Sequence, residues 1–160
     1  MAAFDLHLLR HGEPELGGCL LGRTDSPSTA AGIAACLAVA EGLKIERVIS
    51  SPLSRARTAG EAIAASHGLP VTVDHRWQEL DFGAWDARRV VDISMHDSDA
   101  LSRFWDDPEA SPPPGGERWS ALLGRVEEAL RDLPQSGQPT LVVSHGGAIR
   151  AALGSLCGFG

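Results

Sequence analysis

The sequence predicts an α/β fold, a three-layer sandwich in which a mostly parallel central sheet carries helices on both faces. Three observations support this class. Short runs of apolar and β-branched residues alternate along the chain with longer segments of helical periodicity. Strands that are separated by helices generally pair in parallel and are covered on both faces. The length of 160 residues suffices for one domain with a hydrophobic core and is too short for two of ordinary size.

Four segments have the composition of strands. The first alternates and then becomes uniformly apolar, and the others are short and mostly rich in β-branched residues. They are FDLHLL (4–9), RVIS (47–50), PVTVDH (70–75) and TLVVSH (140–145). We expect these four segments to form the sheet.

The segment 29–43 is predicted as the first helix. It is rich in alanine, the residue with the highest intrinsic helix propensity. Helical spacing places Ile33, Leu37 and Ala40 on one narrow apolar face. We expect these side chains to face the core.

The segment 51–68 is predicted as the second helix. Ser51 is expected as its N-cap, Pro52 as its first helical residue and Gly68 as its stop. Helical spacing predicts one buried face, made of Leu53, Ala56, Ile63 and Ala64.

The segment 117–134 is predicted as a further helix that ends at Pro134. Its apolar stripe is interpreted as core and consists of Trp119, Leu122, Leu123, Val126, Leu130 and Leu133. Before it, residues 77–116 interrupt the alternation with three tryptophans, aspartate-rich turns and the run SPPPGG. We interpret that stretch as an excursion from a single domain, 1–160, that lies over the edge of the sheet.

Composition restricts the partners. The formal net charge of −7 disfavours nucleic acid and anionic membranes, because the field of the whole molecule repels both. The N-terminal residues lack the basic leader and apolar run of a signal peptide or membrane span, and the three cysteines are widely spaced. We expect a cytoplasmic protein with free thiols.

Charged side chains follow three of the predicted strands. Arg10 and His11 follow the first strand, Arg55 lies shortly after the second, and His145 ends the fourth. The carboxyl ends of parallel strands meet at one edge of a sheet, so these side chains are expected to converge. Two arginines and two histidines beside helix N-termini predict an anion pocket, most simply for a phosphoryl group.

A glycine follows each of these two histidines. Gly12 and Gly146 have no side chain, so backbone N–H groups there can approach a ligand oxygen. The repeated pattern of strand, histidine and glycine favours a functional role for His11 and His145 over ordinary packing. The histidines without this pattern are interpreted as ordinary core or surface residues: His7, His67, His75 and His96.

A metal site is the competing chemical interpretation. Zinc needs three or four ligands, and the chain has neither a paired-cysteine motif nor HExxH. His7 and His11 on a strand would be about 13 Å apart, too far to share one ion. We expect no metal and no other cofactor.

Five motifs, in order along nearly the whole chain, resemble those of the histidine phosphatase superfamily, also called the phosphoglycerate mutase-like family. LLRHGE resembles its Arg-His-Gly signature, and GRTDSPSTAAG resembles the loop that follows. The remaining three are SSPLSRARTAGEAI, ELDFGAW and VVSHGGAIRAAL. Ala87 stands where the family usually has glycine.

The resemblance implies a metal-independent phosphomonoesterase that forms a phosphohistidine. It identifies His11 as the nucleophile and Glu79 as the acid that protonates the leaving group. Arg10, Arg55 and His145 would hold the phosphoryl oxygens, and residues 77–116 would lie over this active site. Glu79 needs a raised pKa to carry a proton.

Within the family, the chain is most similar to alpha-ribazole phosphatases, which act in cobalamin nucleotide-loop assembly. This similarity implies a small phosphorylated substrate such as alpha-ribazole 5'-phosphate. Four residues are candidate contacts to its organic part: Glu13, Gly22, Arg23 and Glu117. Three aromatic residues are expected as an apolar wall, as core, or as both: Trp77, Phe82 and Trp85.

Two other functions stay open. One is phosphoryl transfer of the phosphoglycerate mutase type, in which phosphate is retained on the product. The other is a non-catalytic module that binds a phosphorylated ligand. A homodimer is a further possibility, and neither nucleic acid nor membrane is expected as a partner.

Overall fold

The computed structural model describes residues 5–133 and 137–158. Its sheet has the order β1-β4-β2-β3, and all three strand pairs are parallel. The strands are β1 (Leu6–Arg10), β2 (Arg47–Ser50), β3 (Val71–Val73) and β4 (Thr140–Ser144). The predicted class is confirmed. The first predicted strand began at residue 4, which lies outside the described residues.

The helices of the described part are α1 (Ala30–Ala40), α2 (Ser54–Ser66), α3 (Val90–Asp106), α4 (Trp119–Arg131) and α5 (Gly146–Cys157). Two short 3₁₀ turns, His75–Trp77 and Gly83–Trp85, lie between β3 and α3. Among these residues, no helix combines the length and the apolar character that crossing a bilayer requires.

Two hydrophobic clusters lie on opposite faces of the sheet. Leu141 and Val143 of β4 belong to a cluster with buried residues of α1 and α2. Val142, between them, belongs to a second cluster with residues of α3, α4 and α5. Successive side chains of a strand point to opposite faces. The predicted three-layer arrangement is therefore confirmed.

The buried face of α1 differs in part from the prediction, which is confirmed for Ala40. Gly32 and Cys36 are buried, whereas Ile33 and Leu37, which we expected there, are only half-buried. The reason is a close backbone contact, because a Cβ atom on Gly12 would overlap the carbonyl of Gly32. The turn after β1 thus presses on the start of α1 and directs its smallest side chains inward.

The predicted start of α2 is wrong. The helix begins at Ser54, so Ser51 and Pro52 lie before it rather than as its cap and first residue. A carboxylate distant in sequence takes the capping role: Asp25 accepts hydrogen bonds from the Ser54 N–H and hydroxyl, both at 2.7 Å. Gly68, with φ +66°, follows the end of the helix as predicted. The predicted buried face is confirmed for Leu53, Ala56, Ile63 and Ala64.

The segment 77–116 contains α3, a helix that the sequence did not predict. Its backbone leaves helical geometry at Asp97, and its buried side chains are Ile93, Leu101 and Phe104. The following helix, α4, buries Leu122, Val126 and Ala129. Pro134, the predicted end of that helix, lies outside the described residues.

Candidate active site

The candidate site lies at the carboxyl edge of the sheet, where three neighbouring strands end. His11 follows β1, Ser51 follows β2 and His145 follows β4. The His11 N–H donates to the carbonyl of Ser144 at 3.0 Å, and the Ser51 N–H donates to that of Val143 at 3.0 Å. These bonds keep the chain in register past the strand ends. The rings of the two histidines lie with their centroids 5.0 Å apart.

One nitrogen of His11 is fixed as a donor. Nδ1 lies 2.7 Å from the carbonyl oxygen of Gly12, and a carbonyl can only accept, so Nδ1 carries the proton. Burial lowers the pKa of the His11 imidazole to about 4, with the charges of Arg55 and Arg10 acting in the same direction. The ring is therefore neutral near pH 7, and its Nε2 holds a free lone pair.

His145 is fully buried, and burial holds its pKa well below the ordinary value. Its Nε2 lies 2.8 Å from the hydroxyl of Ser51, which also accepts the Leu53 N–H at 3.3 Å. With the hydroxyl donating to Nε2, the proton of the neutral ring lies on Nδ1. That atom has no partner in the described part of the chain. A buried donor without an acceptor is costly, and a ligand oxygen would satisfy it.

The two arginines differ in their surroundings. Arg55, in the first turn of α2, is fully buried. Its terminal nitrogens donate to the carbonyls of Leu21, Gly22 and Thr24 at 2.8 to 3.0 Å. Its Nε has no partner within residues 5–133 and 137–158. Most of this guanidinium thus holds the loop after β1, and one N–H is left for a ligand. Arg10, at the end of β1, is exposed.

Glu79 is a buried carboxyl held at both oxygens. Oε1 accepts the Leu80 N–H at 2.8 Å, and Oε2 accepts the N–H of Gly147 at 3.0 Å. Burial raises the pKa of Glu79, while these two hydrogen bonds and nearby arginines limit the rise. The group can therefore hold a proton at a higher pH than an exposed glutamate.

The glycines after the two histidines make close contacts in the structure, and their expected role in binding phosphate stays a prediction. Gly146 begins α5 and lies near Arg10, whose Nε would be 3.9 Å from a Cβ atom added there. At position 12, in contrast, only glycine fits, because a Cβ atom there would overlap the backbone of Gly32. Sequence reasoning missed Gly147, where a Cβ atom would overlap Oε1 of Glu79. The doublet GG after His145 was the available signal.

A second missed residue, Arg125 of α4, braces the segment that carries Glu79. Its Nη1 donates to the carbonyls of Arg76 and Gln78, both at 2.7 Å, and its Nη2 donates to that of Glu79 at 2.9 Å. Both oxygens of Glu117 accept from the same guanidinium. Burial alone would raise the pKa of Glu117, but Arg125 holds it below the ordinary value.

A cleft of about 300 Å³ opens beside these groups. Arg10, His11, Glu79 and Gly146 line one part of it, and the remaining wall is mostly apolar. Of the three aromatic residues expected as a wall, Phe82 lines the cleft, whereas Trp77 and Trp85 are core residues. Trp119, expected in the core, packs against the core and lines the cleft as well.

The four expected contacts to the organic part of a substrate lie around the cleft rather than on its wall. Glu13 is exposed, and Gly22 is packed against the carbonyl of Leu80. Arg23 donates to the side chain of Gln78 at 2.6 Å. The fourth, Glu117, pairs with Arg125, as described above. Within the described ranges, no cluster of three or more histidine, cysteine, aspartate or glutamate side chains could hold a metal ion.

Comparison with known proteins identifies the family. The sequence profile described as "Histidine phosphatase superfamily (branch 1)" matches residues 6–160. The chain belongs to this superfamily. The resemblance seen in the five sequence motifs is thereby confirmed, and the match extends from residue 6 to residue 160.

The proteins that are similar to this chain include mutases and phosphatases by name. GpmB of Salmonella choleraesuis, described as a probable phosphoglycerate mutase, is 33% identical over 161 residues, which is 96% of this chain and 74% of GpmB. Among solved structures, the alpha-ribazole phosphatase of Shigella flexneri is 28% identical with a TM-score of 0.83, covering 97% of this chain and 80% of that one. A mycobacterial glucosyl-3-phosphoglycerate phosphatase in complex with VO3 is 28% identical with a TM-score of 0.87, covering 99% and 84%.

Proposed function

We propose that the protein hydrolyses phosphomonoesters of small metabolites through a phosphohistidine on His11. The observation that carries this proposal is the hydrogen bond from His11 Nδ1 to the carbonyl of Gly12. It leaves an unprotonated Nε2 in a cleft that also contains the Arg10 side chain and the buried carboxyl of Glu79. A positioned nucleophile, a cationic group and a proton donor are the parts that phosphoryl transfer needs.

In the first step, the Nε2 lone pair of His11 attacks phosphorus, and the bond from phosphorus to the ester oxygen breaks. The departing alkoxide takes the proton of Glu79, so the products are an alcohol and a phosphohistidine. Arg10 and the free N–H groups of Arg55 and His145 would stabilise the charge on the phosphoryl oxygens. These two buried donors lack other partners within the described residues, which supports this role.

In the second step, water attacks phosphorus and the P–N bond breaks. The Glu79 carboxylate, formed in the first step, takes a proton from that water. Inorganic phosphate leaves, and His11 regains its lone pair and Glu79 its proton. Both half-reactions balance without a metal ion, and we propose that the enzyme needs none.

The substrate is a small phosphorylated metabolite, and alpha-ribazole 5'-phosphate is our first candidate because an alpha-ribazole phosphatase is among the similar structures. Phosphoglycerate mutase activity is the second candidate, favoured by the name of GpmB. The location in the cytoplasm, the role in cobalamin synthesis and the homodimer stay predictions.

The test is to trap the phosphoenzyme. Wild-type protein is mixed with a phosphomonoester, quenched in alkali and analysed by mass spectrometry for one phosphoryl group on His11. We expect an acid-labile, alkali-stable adduct in the wild type. In His11→Ala, both the adduct and the hydrolysis should be absent. Full turnover by this variant would refute the assignment of His11 as the nucleophile.

Two controls separate the alternatives. Incubation with a chelator should leave hydrolysis unchanged, and strong inhibition would indicate a metal requirement. A mutase would convert 3-phosphoglycerate to its 2-isomer without releasing phosphate. Tight phosphate binding without adduct or turnover would indicate a non-catalytic module.

A further inference from the structure

Apart from the reacting groups, most of the lining of the cleft consists of apolar side chains. They include Leu20, Leu80, Phe82, Phe104, Trp105 and Trp119. Resting on the proposed function, we propose that the preferred substrates are phosphate esters of alcohols that carry an apolar aromatic group, rather than phosphates of sugars or sugar acids that lack such a group.

Ring contacts pack the buried part of the aromatic wall before any ligand arrives. Phe104, at the end of α3, meets Phe82 and Trp85 edge to face, at centroid distances of 6.1 and 5.7 Å. Trp105 follows, with its ring centroid 4.9 Å from that of Phe104. Edge-to-face contacts of this kind stabilise one orientation of the rings. The buried rings of Phe82 and Phe104 therefore have little side-chain freedom left to lose when a ring of the substrate binds.

Two indole rings from different helices line the same cleft. Trp105 is 53% exposed although it is large and apolar, so its ring presents uncovered surface. Trp119 begins α4 and is half-buried, and the guanidinium of Arg150 lies 5.7 Å from its ring centroid. Burying exposed aromatic surface against an apolar ligand is favourable. The excursion 77–116, which supplies Trp105, would thus contribute specificity.

The same wall disfavours a sugar without an aromatic group. Each hydroxyl that enters an apolar cleft loses water, and it must find a new hydrogen-bond partner to avoid a penalty. The charged groups of the lining lie around His11 and at Arg150, whereas leucine, phenylalanine and tryptophan side chains form most of the remainder. Apolar contacts distinguish ligands only moderately. We therefore expect a ligand with one aromatic ring to be preferred about tenfold to a hundredfold over a ligand without it.

The experiment separates binding from chemistry. Calorimetry compares 3-phenylpropylphosphonate with 3-hydroxypropylphosphonate, whose C–P bonds the proposed reaction does not cleave. We expect the phenyl compound to bind at least about tenfold more tightly. Its binding should show a more negative heat-capacity change, the mark of apolar burial. The corresponding phosphate esters are then compared by kcat/KM, and both release primary alcohols, so leaving-group reactivity is similar.

Variants locate the effect. Trp105→Ala should remove most of the tenfold preference in Kd and kcat/KM, and Trp105→Phe should restore part of it. Met95→Ala is the matched control, since Met95 is a 75% exposed apolar residue of the same helix outside the cleft lining. We expect it to behave like wild type.

The outcomes are distinct. Equal affinity for the two phosphonates, or tighter binding of the hydroxyl compound, would overturn the proposed preference even if both esters are hydrolysed. A preference unchanged in Trp105→Ala would overturn the assignment to this wall. Selective phosphonate binding without hydrolysis of either ester would support the apolar site and refute the proposed phosphatase reaction.

Discussion

Acidification should destabilise the protein through His11. The pKa of this imidazole is about 4 in the native state, compared with an ordinary value of 6.5. The unfolded chain therefore binds more protons at this position as the pH falls through 6.5 toward 4. Linkage gives a loss of about 2 kcal/mol in the free energy of unfolding between pH 7 and pH 5. This is a measurable fraction of the free energy of unfolding of a typical domain, which is roughly 5 to 15 kcal/mol.

The assay is urea unfolding of wild type and His11→Asn at pH 7 and pH 5. The asparagine amide can still donate to the carbonyl of Gly12, but it does not titrate. Because other groups also respond to acid, the informative quantity is the difference between the two proteins. His145, whose pKa is lowered by burial, is present in both. We expect wild type to lose about 2 kcal/mol relative to the variant over this range.

Parallel pH dependences of wild type and variant would refute this reasoning. The native pKa can also be read directly, from the pH dependence of the imidazole nitrogen chemical shifts. A titration of His11 near 6.5 would show that burial does not control its protonation. The proposed role as a nucleophile would not be refuted by that result, because the hydrogen bond from Nδ1 to Gly12 still leaves Nε2 unprotonated in the neutral ring.

Four further substitutions, and one control at Gly124, test individual features of the structure. Glu79→Gln should lower kcat/KM for an alkyl phosphate by roughly 10²- to 10⁴-fold but have much less effect on p-nitrophenyl phosphate, whose leaving group needs no proton. Gly147→Ala should lower kcat by displacing the Glu79 carboxyl, whereas Gly124→Ala, with open space around it, should raise the free energy of unfolding by about 0.5 to 1 kcal/mol and leave kcat unchanged. Arg125→Met should cost about 3 kcal/mol in urea unfolding, because a half-buried carboxylate and three carbonyls lose their partner. Ala87→Gly should raise the melting temperature by relieving about 1 kcal/mol of strain at φ +59°.

The fold could be predicted from the sequence because its signals are local. Runs of apolar and β-branched residues identified the four strands of the sheet. The helical segments between these runs predicted that the strands pair in parallel. The start of α2 could not be predicted in this way. Its cap is Asp25, 29 residues away in sequence from Ser54, and no local pattern reveals a partner at that distance.

The site was predictable where side chains follow strands and unpredictable where they act through the backbone. His11 and His145 stand directly after strands, so their meeting follows from topology. Arg125 recognises three backbone carbonyls, which leave no pattern in the sequence. Ser51 looked like a helix cap, and only the tertiary structure pairs its hydroxyl with His145.

The hold of Arg55 on the loop after β1 links assembly of the site to cooperative folding. Its guanidinium binds three loop carbonyls, and Asp86 accepts from the N–H groups of Gly22 and Thr24 in the same loop. If either α2 or this loop opened alone, buried polar groups of the other would lose their hydrogen-bond partners. Amide protons of both segments should therefore exchange with solvent as one unit. In an intermediate that lacks the loop, the Arg55 guanidinium would lose the three carbonyls that hold it in place.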